Sequence, residues 1–232
     1  MKDLIYKTFL SYGYTLTDKQ INQFEIYYKF LIEENKKYNL TAITQPLDVV
    51  VKHFIDSIFP EKEIPQGAKV IDIGTGAGFP GVPLKILRPD INITLVDSLQ
   101  KRVNFLNMLF EKLELKGEIV HSRAEDFIKN RRETFDIALS RAVASLPTLS
   151  EYLIPYVKIS GLVFMYKGEK LQEELELGNK AISTLGAKVE KIEEFYLKEV
   201  ESKRYILVLD KVKKTDSKYP RGKNLPKTKP II

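Results

Sequence analysis

The chain contains no cysteine, which removes disulfides, thiolate metal sites and a cysteine nucleophile at once. It also lacks any apolar run approaching the roughly 20 residues that span a bilayer, so no membrane partner is expected. Met1 to Thr17 interleaves Lys2, Asp3, Lys7 and tyrosines with its apolar positions, and so lacks the unbroken core of a secretory signal. A cytoplasmic location fits both features. Excess charge is missing from most of the chain. The first 210 residues carry a net −1, whereas the last 22 carry eight bases against one acid, Asp216. The whole +6 excess therefore sits at the C-terminal end. A basic segment of this kind points to a polyanion, nucleic acid before a membrane surface. Lys213, Lys214 and Lys218 are candidate phosphate contacts, and Tyr219 and Arg221 stand among them as residues that stack on bases. The competing reading is a solvated end that aids solubility.

What is present suits one well-packed domain: 232 residues, 44% hydrophobic and 29% charged. Three stretches are expected: a helical extension over residues 1–67, a core over 68–210, and the basic tail over 211–232. In the first, Thr17-Asp18-Lys19-Gln20 is a capping-box pattern. Ile21, Phe24, Tyr28 and Leu31 follow it at helical steps. Pro46 suits the first turn of another helix, whose inner face carries Val49, Val50, His53 and Phe54.

From Ala68 short β-branched runs alternate with amphipathic ones. Strands are predicted at 69–73, 91–96, 117–121, 135–139, 162–166, 187–196 and 205–209. Helices are predicted at 82–87, 99–115, 124–129, 147–157 and 169–185. This order implies an α/β fold with a doubly wound, mostly parallel seven-stranded sheet. The last two strands have no helix between them, so one is expected to run antiparallel. Ligands in such folds bind beyond the carboxyl ends of the strands, where the winding reverses.

The loop after the first strand reads Asp72-Ile73-Gly74-Thr75-Gly76-Ala77-Gly78-Phe79-Pro80-Gly81. Gly76, Gly78 and Gly81 formally satisfy the dinucleotide fingerprint, which keeps a nicotinamide oxidoreductase open. That frame starts well past the strand and encloses Pro80. The frame Gly74, Gly76, Gly78 opens where the strand ends, with Asp72 just inside it. Such a loop lets a ligand without phosphates approach the backbone, as S-adenosylmethionine would. Asp72 acts there through its field or by fixing the loop. Asp97, 23 residues after Gly74, sits where an acid accepts both hydroxyls of a ribose. The alternative is that it caps the next helix, a task Ser98 can also perform. Ser122 and Glu125 form a second capping-box pattern, so Glu125 is read equally as cap or cofactor contact.

After the fourth strand the segment Ser140-Arg141-Ala142-Val143-Ala144 lacks the Asp/Asn/Ser-Pro-Pro-aromatic signature that grips an exocyclic amine. With cysteine-dependent C5 methylation also excluded, guanine N7 remains a fitting target, since it has a free lone pair and loses no proton. Orientation then supplies most of the rate. Arg141 holds the cofactor carboxylate or the guanine O6 in this reading, or else makes a structural ion pair. Lys167 is a candidate RNA contact, set against an ordinary surface lysine.

These residues resemble the RsmG (GidB) family. The likeness runs from Asn35 to the C-terminus. It rests on Lys37-Tyr38-Asn39-Leu40-Thr41-Ala42-Ile43, His53-Phe54-Ile55-Asp56-Ser57, Asp72 to Gly81, Asp97-Ser98-Leu99 with Lys101-Arg102, Arg123 to Asp126, and Ser140 to Ala144. The end Lys214 to Arg221 is similar to that of Gram-positive members, except at Asp216, where relatives often have proline. The resemblance implies a class I methyltransferase with a Rossmann-like core that uses S-adenosylmethionine. Its expected cofactor site comprises Gly74, Phe79, Asp97, Ser98, Leu99, Ala124, Glu125 and Arg141. Its expected product is 7-methylguanosine in 16S rRNA of the small ribosomal subunit, made by a monomer. Asn39, His53 and Arg204 are implied on the substrate side. Taken alone, His53 on an apolar face reads as a core histidine, and Asn39 as a helix C-cap. A non-enzymatic rRNA-binding assembly factor is the third reading.

Overall fold

The computed structural model describes residues 1–141 and 144–232. Ala142 and Val143, part of the motif after the fourth strand, lie outside the described residues. Helices α1 (Lys2–Ser11) and α2 (Asp18–Tyr38) open the chain. The capping box at Thr17 forms as expected, with Gln20 closing it. Asn39 ends α2 in the left-handed conformation at φ 50°, which is the C-cap role read from the sequence. Then come α3 (Pro46–Val49), a π-helical turn over Val50–Ile55, and α4 (Asp56–Ile58).

The sheet region runs β1 (Lys69–Ile73), α5 (Gly81–Leu87), β2 (Asn92–Asp97), α6 (Gln100–Leu113), β3 (Glu118–His121), α7 (Ala124–Phe127) and β4 (Phe135–Ser140). It continues through α8 (Leu146–Leu153), β5 (Val157–Lys167), α9 (Leu171–Thr184), β6 (Ala187–Leu197) and β7 (Ser202–Lys211), with α10 (Leu225–Thr228) beyond. The seven strands lie in the order β3-β2-β1-β4-β5-β7-β6. β7 pairs antiparallel with both β5 and β6, and every other pairing is parallel. The switch in winding falls between β1 and β4.

Two boundaries and one cap differ from expectation for local reasons. The helix expected over 147–157 ends at Leu153. A 3-10 turn containing Pro155 follows, and Val157 already belongs to β5. β5 thereby starts five residues before the predicted strand, across a register shift opposite Phe135 and Ile137. The capping box at Ser122 does not form: Arg123 occupies the N-cap position with no side-chain cap, and Ser122 Oγ bonds to the Arg123 carbonyl.

Two hydrophobic clusters cover the two faces of the sheet. One packs α1, α2, α5 and α6 through Phe24, Tyr27, Phe54, Leu95, Phe105 and Leu106. The other packs α8 and α9 through Leu146, Leu149, Tyr156, Leu171 and Ile182. The basic C-terminal segment lies against this second face. Thr215, Pro220 and Pro226 are buried, and Thr148 Oγ1 donates to the Pro226 carbonyl at 2.9 Å.

Candidate functional site

The glycine loop leaves β1 in a conformation that side chains resist: φ is +72° at Gly74, +63° at Gly76 and +100° at Gly78. The three positions differ in surroundings. A Cβ on Gly78 would lie 2.5 Å from Val82 Cγ2 and 2.9 Å from Tyr27 Oη, whereas one on Gly76 would meet nothing within 4 Å. Gly78 therefore serves packing, and Gly76 leaves open space where a ligand can meet the backbone. Asp72 lies fully buried beneath this loop. Its Oδ2 accepts Thr75 Oγ1 at 2.8 Å and Gly81 N at 2.9 Å. Asp72 thus fixes the loop, the second of its two expected roles. Burial pushes its carboxyl up to about 7, against the pull of those two hydrogen bonds and of Arg141.

Asp97 closes the other side of the cradle. Its Oδ2 accepts Gly76 N at 2.9 Å and its Oδ1 accepts Leu99 N at 2.9 Å, while Arg102 pairs with it at 3.2 Å. The same carboxylate therefore ties the loop and starts α6, and its remaining lone pairs are what a ribose would use. Leu99 stands exposed beside it, an apolar surface at the cradle's rim. His121 Nε2 lies 3.0 Å from the Ser98 carbonyl and braces that turn. On the third side, Tyr156 Oη donates to the Ala124 carbonyl, and Glu125 keeps a 4.0 Å ion pair with Arg123. The open space at Gly76 and the exposed Leu99 beside a ribose-grade carboxylate fit S-adenosylmethionine.

The helical extension builds the rest. Tyr27 of α2 donates its hydroxyl to the Ala77 carbonyl at 2.6 Å. Its ring stacks on Phe79 at 5.3 Å, and His53 stacks on Phe79 at 4.3 Å. Arg141, at the end of β4, lies over the same ring at 4.9 Å. It donates to the Lys52 carbonyl at 2.9 Å, to Asp56 Oδ2 at 2.7 Å and to His53 Nδ1 at 3.0 Å. A guanidinium only donates, so His53 Nδ1 is the acceptor and its proton sits on Nε2, which faces Thr41 Oγ1 at 2.8 Å. Burial, reinforced by Arg141, lowers the imidazole to about 3. His53 is thus neutral with both nitrogens engaged.

Beyond this cluster opens a cavity of about 300 Å³, a size that accepts a purine, lined by Ile43, Lys52, His53, Asp56, Arg141, Tyr166, Lys167, Gly168, Arg204 and Tyr205. Its lining carries four cationic groups and one carboxylate. A larger cavity, about 1010 Å³, opens at the opposite ends of the strands near Lys69, Lys85 and Glu118. Doubly wound sheets bind ligands at the carboxyl ends, so the smaller cavity is the candidate.

His53, Arg141, Lys167 and Arg204 converge on this cavity. Lys167 is no ordinary surface lysine: it is buried and bound to Glu174 at 2.6 Å. Asn39 caps α2 and does not line the cavity. In the basic segment, Arg221 holds the fully buried Glu151 through Nε and Nη2, with its backbone N–H donating too, so its guanidinium is committed to the fold. Lys213 and Lys214 stay exposed, and Lys218 pairs with Asp216 at 3.3 Å. Sequence reasoning gave no role to Tyr27, Thr41 or Asp56. Thr41 and Asp56 stand in motifs that carried the family likeness and Tyr27 in none, and partners 12 to 85 positions away define what all three do.

The family model described as GidB, rRNA small subunit methyltransferase G, matches residues 20–205. The Desulforamulus reducens protein named Ribosomal RNA small subunit methyltransferase G is 51% identical over 94% of this chain and 93% of its own. Proteins of the same name from Lactobacillus helveticus and Clostridium botulinum are 48% and 47% identical; the first alignment covers 95% of both chains, the second 99% of this chain and 98% of its own. Among solved structures, a methyltransferase from Pyrococcus furiosus superposes with a TM-score of 0.59 at 19% identity, covering 83% of this chain and 99% of its own. TYW2 from M. jannaschii in complex with AdoMet reaches 0.53 at 14% identity, covering 68% and 77%. These distant likenesses establish the class I methyltransferase fold. The sequence matches go further: the chain belongs to the rRNA small subunit methyltransferase G (GidB) family, and is an S-adenosylmethionine-dependent methyltransferase.

Proposed function

We propose that this enzyme methylates N7 of a guanosine in 16S rRNA, acting on the small ribosomal subunit as a cytoplasmic monomer. One observation carries the reading: the glycine-loop cradle meets a purine-sized, cation-lined cavity, and the imidazole between them is locked. Gly74, Gly76, Asp97, Ser98, Leu99, Ala124 and Glu125 surround the cofactor. Bound there, S-adenosylmethionine supplies an electrophilic methyl group carried on a sulfonium.

The protein's part is to orient the base and exclude water. Phe79, at the end of the glycine loop, stacks on Tyr27 and on His53 and so joins the loop to the cavity residue His53 through a rigid aromatic contact. Arg141 lines the cavity, lies over the Phe79 ring and is held by three acceptors, so its position is fixed before the RNA arrives. Guanine N7 gives up no proton, and the site offers no free imidazole to take one. Alignment is the contribution that remains. The cationic lining favours the approach of a polyanion. Asn39 caps α2 two positions before Thr41, which holds His53. Lys213 and Lys214 follow the end of β7 opposite the cavity residues Arg204 and Tyr205, so in this reading they and Lys218 serve as separate phosphate contacts.

The test is methyl transfer from labelled S-adenosylmethionine to small-subunit RNA, followed by borohydride reduction and aniline treatment. Label that sits at the point of aniline cleavage is the expected result. Labelled RNA that resists cleavage would exclude N7, and RNA binding without transfer would favour an assembly role.

A further inference from the structure

The larger cavity, at the amino ends of the strands, has no part in methyl transfer. It holds about 1010 Å³, against about 300 Å³ for the cavity at the carboxyl ends. Its fixed polar side chains are spent on the fold. Gln20 donates to the Ile86 and Leu87 carbonyls at 3.1 and 3.2 Å, Gln23 to the Leu113 carbonyl at 2.7 Å, and Thr94 to Glu118 at 3.2 Å. Lys85 is buried and gives its ammonium to the Pro89 and Ile91 carbonyls at 2.8 and 2.7 Å. Such walls offer little with which to read the edges of a small ligand. What stays free is charge. Lys19 near the start of α2, Lys69 at the start of β1 and Lys116 just before β3 line the cavity and stand exposed, and their ammonium groups make no hydrogen bond or ion pair among the described residues. Two of the three carboxylates in the lining are taken: Asp90 pairs with Arg88 at 2.8 Å and Glu118 with Arg131 at 2.7 Å, which leaves Glu114. Beside Lys69, Asp136 accepts the Lys69 backbone N–H and pairs with Lys158.

Lysine ammonium groups on flexible stems, with no fixed acceptors around them, bind phosphates as point charges. Contacts of that kind position a nucleic acid without reading its sequence. Resting on an rRNA substrate but not on which of its atoms is methylated, we infer that the groove at the amino ends of β1 to β4 is a second RNA-binding surface: Lys19, Lys69 and Lys116 take phosphates of the substrate outside the target nucleotide. β1 is five residues long, so the groove and the candidate active site stand roughly 17 Å apart along the strands. The nucleotide that enters the smaller cavity cannot also fill the groove, and the RNA is held at two separate places. Because β7 runs antiparallel to β5, Lys213 and Lys214 emerge at this same pole and extend the cationic band along the edge of the sheet. The groove touches neither the cofactor cradle nor the reacting base, so it contributes equally to bound substrate and transition state. Its loss therefore falls on KM and not on kcat.

The experiment compares three full-length chains on unmethylated small-subunit RNA: the wild type, the groove variant Lys19→Ala/Lys69→Ala/Lys116→Ala, and a control variant Lys2→Ala/Lys7→Ala/Lys180→Ala. The control removes the same charge from exposed positions outside the groove. RNA affinity is measured across a salt series, methyl transfer at steady state, and S-adenosylmethionine binding by titration. Each lost phosphate contact removes about 0.7 to 0.9 from the slope of log affinity against log salt, so the groove variant should flatten that slope by about 2. Its KM for RNA should rise about tenfold at physiological salt, with kcat and cofactor affinity unchanged. The control should stay close to the wild type in slope and KM. A groove variant that matches the wild type, or a control that changes as much as the groove variant, overturns the inference, and so does a fall in kcat with KM unchanged. Unchanged cofactor binding shows that the groove variant is folded. Failure of the wild-type chain to transfer methyl to the RNA would overturn the underlying reading instead, and the salt slopes would still decide whether the groove holds RNA.

Discussion

At the scale of single residues, Gly76 and Gly78 separate folding from binding. Alanine at Gly78 meets Val82 and Tyr27 in a left-handed backbone, and strain plus overpacking should cost on the order of 3 kcal/mol. Alanine at Gly76 costs roughly 1–2 kcal/mol for the same backbone region but meets no neighbour. Gly76→Ala should therefore fold with a modestly lower Tm and still lose most of its affinity for S-adenosylmethionine. Thermal melts beside calorimetric titrations check this; unchanged affinity in Gly76→Ala would take the ligand away from that loop. Tyr27→Phe strands the Ala77 carbonyl and should cost about 1 kcal/mol.

Two buried groups give opposite pH dependence. His53 titrates near 3 in the folded chain against 6.5 when free, so the unfolded chain takes up a proton that the native one refuses. Its contribution is complete above about pH 6.5 and drains away on acidification. Asp72 titrates near 7 against 3.8, so the native chain keeps a proton that the unfolded one has lost, and its contribution falls as pH rises toward 7. Between pH 4 and 6.5 the two oppose each other. Denaturation midpoints across that window should therefore rise more steeply with pH in Asp72→Asn than in the wild-type chain, and should flatten or fall in His53→Gln. Equal slopes in all three would show that neither group is held as the structure indicates.

At the scale of elements, the basic C-terminal segment divides its residues between fold and surface. Arg221→Ala leaves Glu151 buried without its cation and should destabilise by about 3 kcal/mol. Replacing Lys213 and Lys214 by alanine should leave Tm within a degree or two. It should also flatten the plot of log RNA affinity against log salt by about 0.7 to 0.9 for each phosphate that is no longer neutralised. An unchanged slope would make these lysines merely solubilising. This division could not be read from composition, because Arg221 and Glu151 lie 70 positions apart and nothing local marks their pairing. The parallel strands were legible because buried strands read as continuous β-branched runs. β1 matches its expected span residue for residue. The start of β5 was not legible: Lys158, Ile159 and Ser160 form its exposed beginning and carry no apolar run.

At the scale of the whole molecule, the glycine frame and Asp97 were legible because backbone conformation and strand-end position constrain them locally. The cavity was not, since it assembles from the loop before α3, the π turn, α4, the residue after β4, the end of β5 and the start of β7. His53 shows both sides of this. Its apolar face was read from Val49 and Val50, yet its place in the candidate site depends on Phe79 and Arg141 arriving from the sheet. The extension is thus part of the site: Tyr27 supports the loop, Thr41 orients His53, and Asp56 anchors Arg141.

All of this depends on one sulfonium nucleoside seating between the Gly76 backbone and Asp97, against the wall that Phe79 forms. The most direct measurement is isothermal titration of the folded, purified chain with S-adenosylmethionine and with its demethylated product. Saturable heat at one site per chain for each ligand, and loss of it in Gly76→Ala, is the predicted outcome; no saturable heat with either ligand, or binding of NAD in their place, would contradict the account.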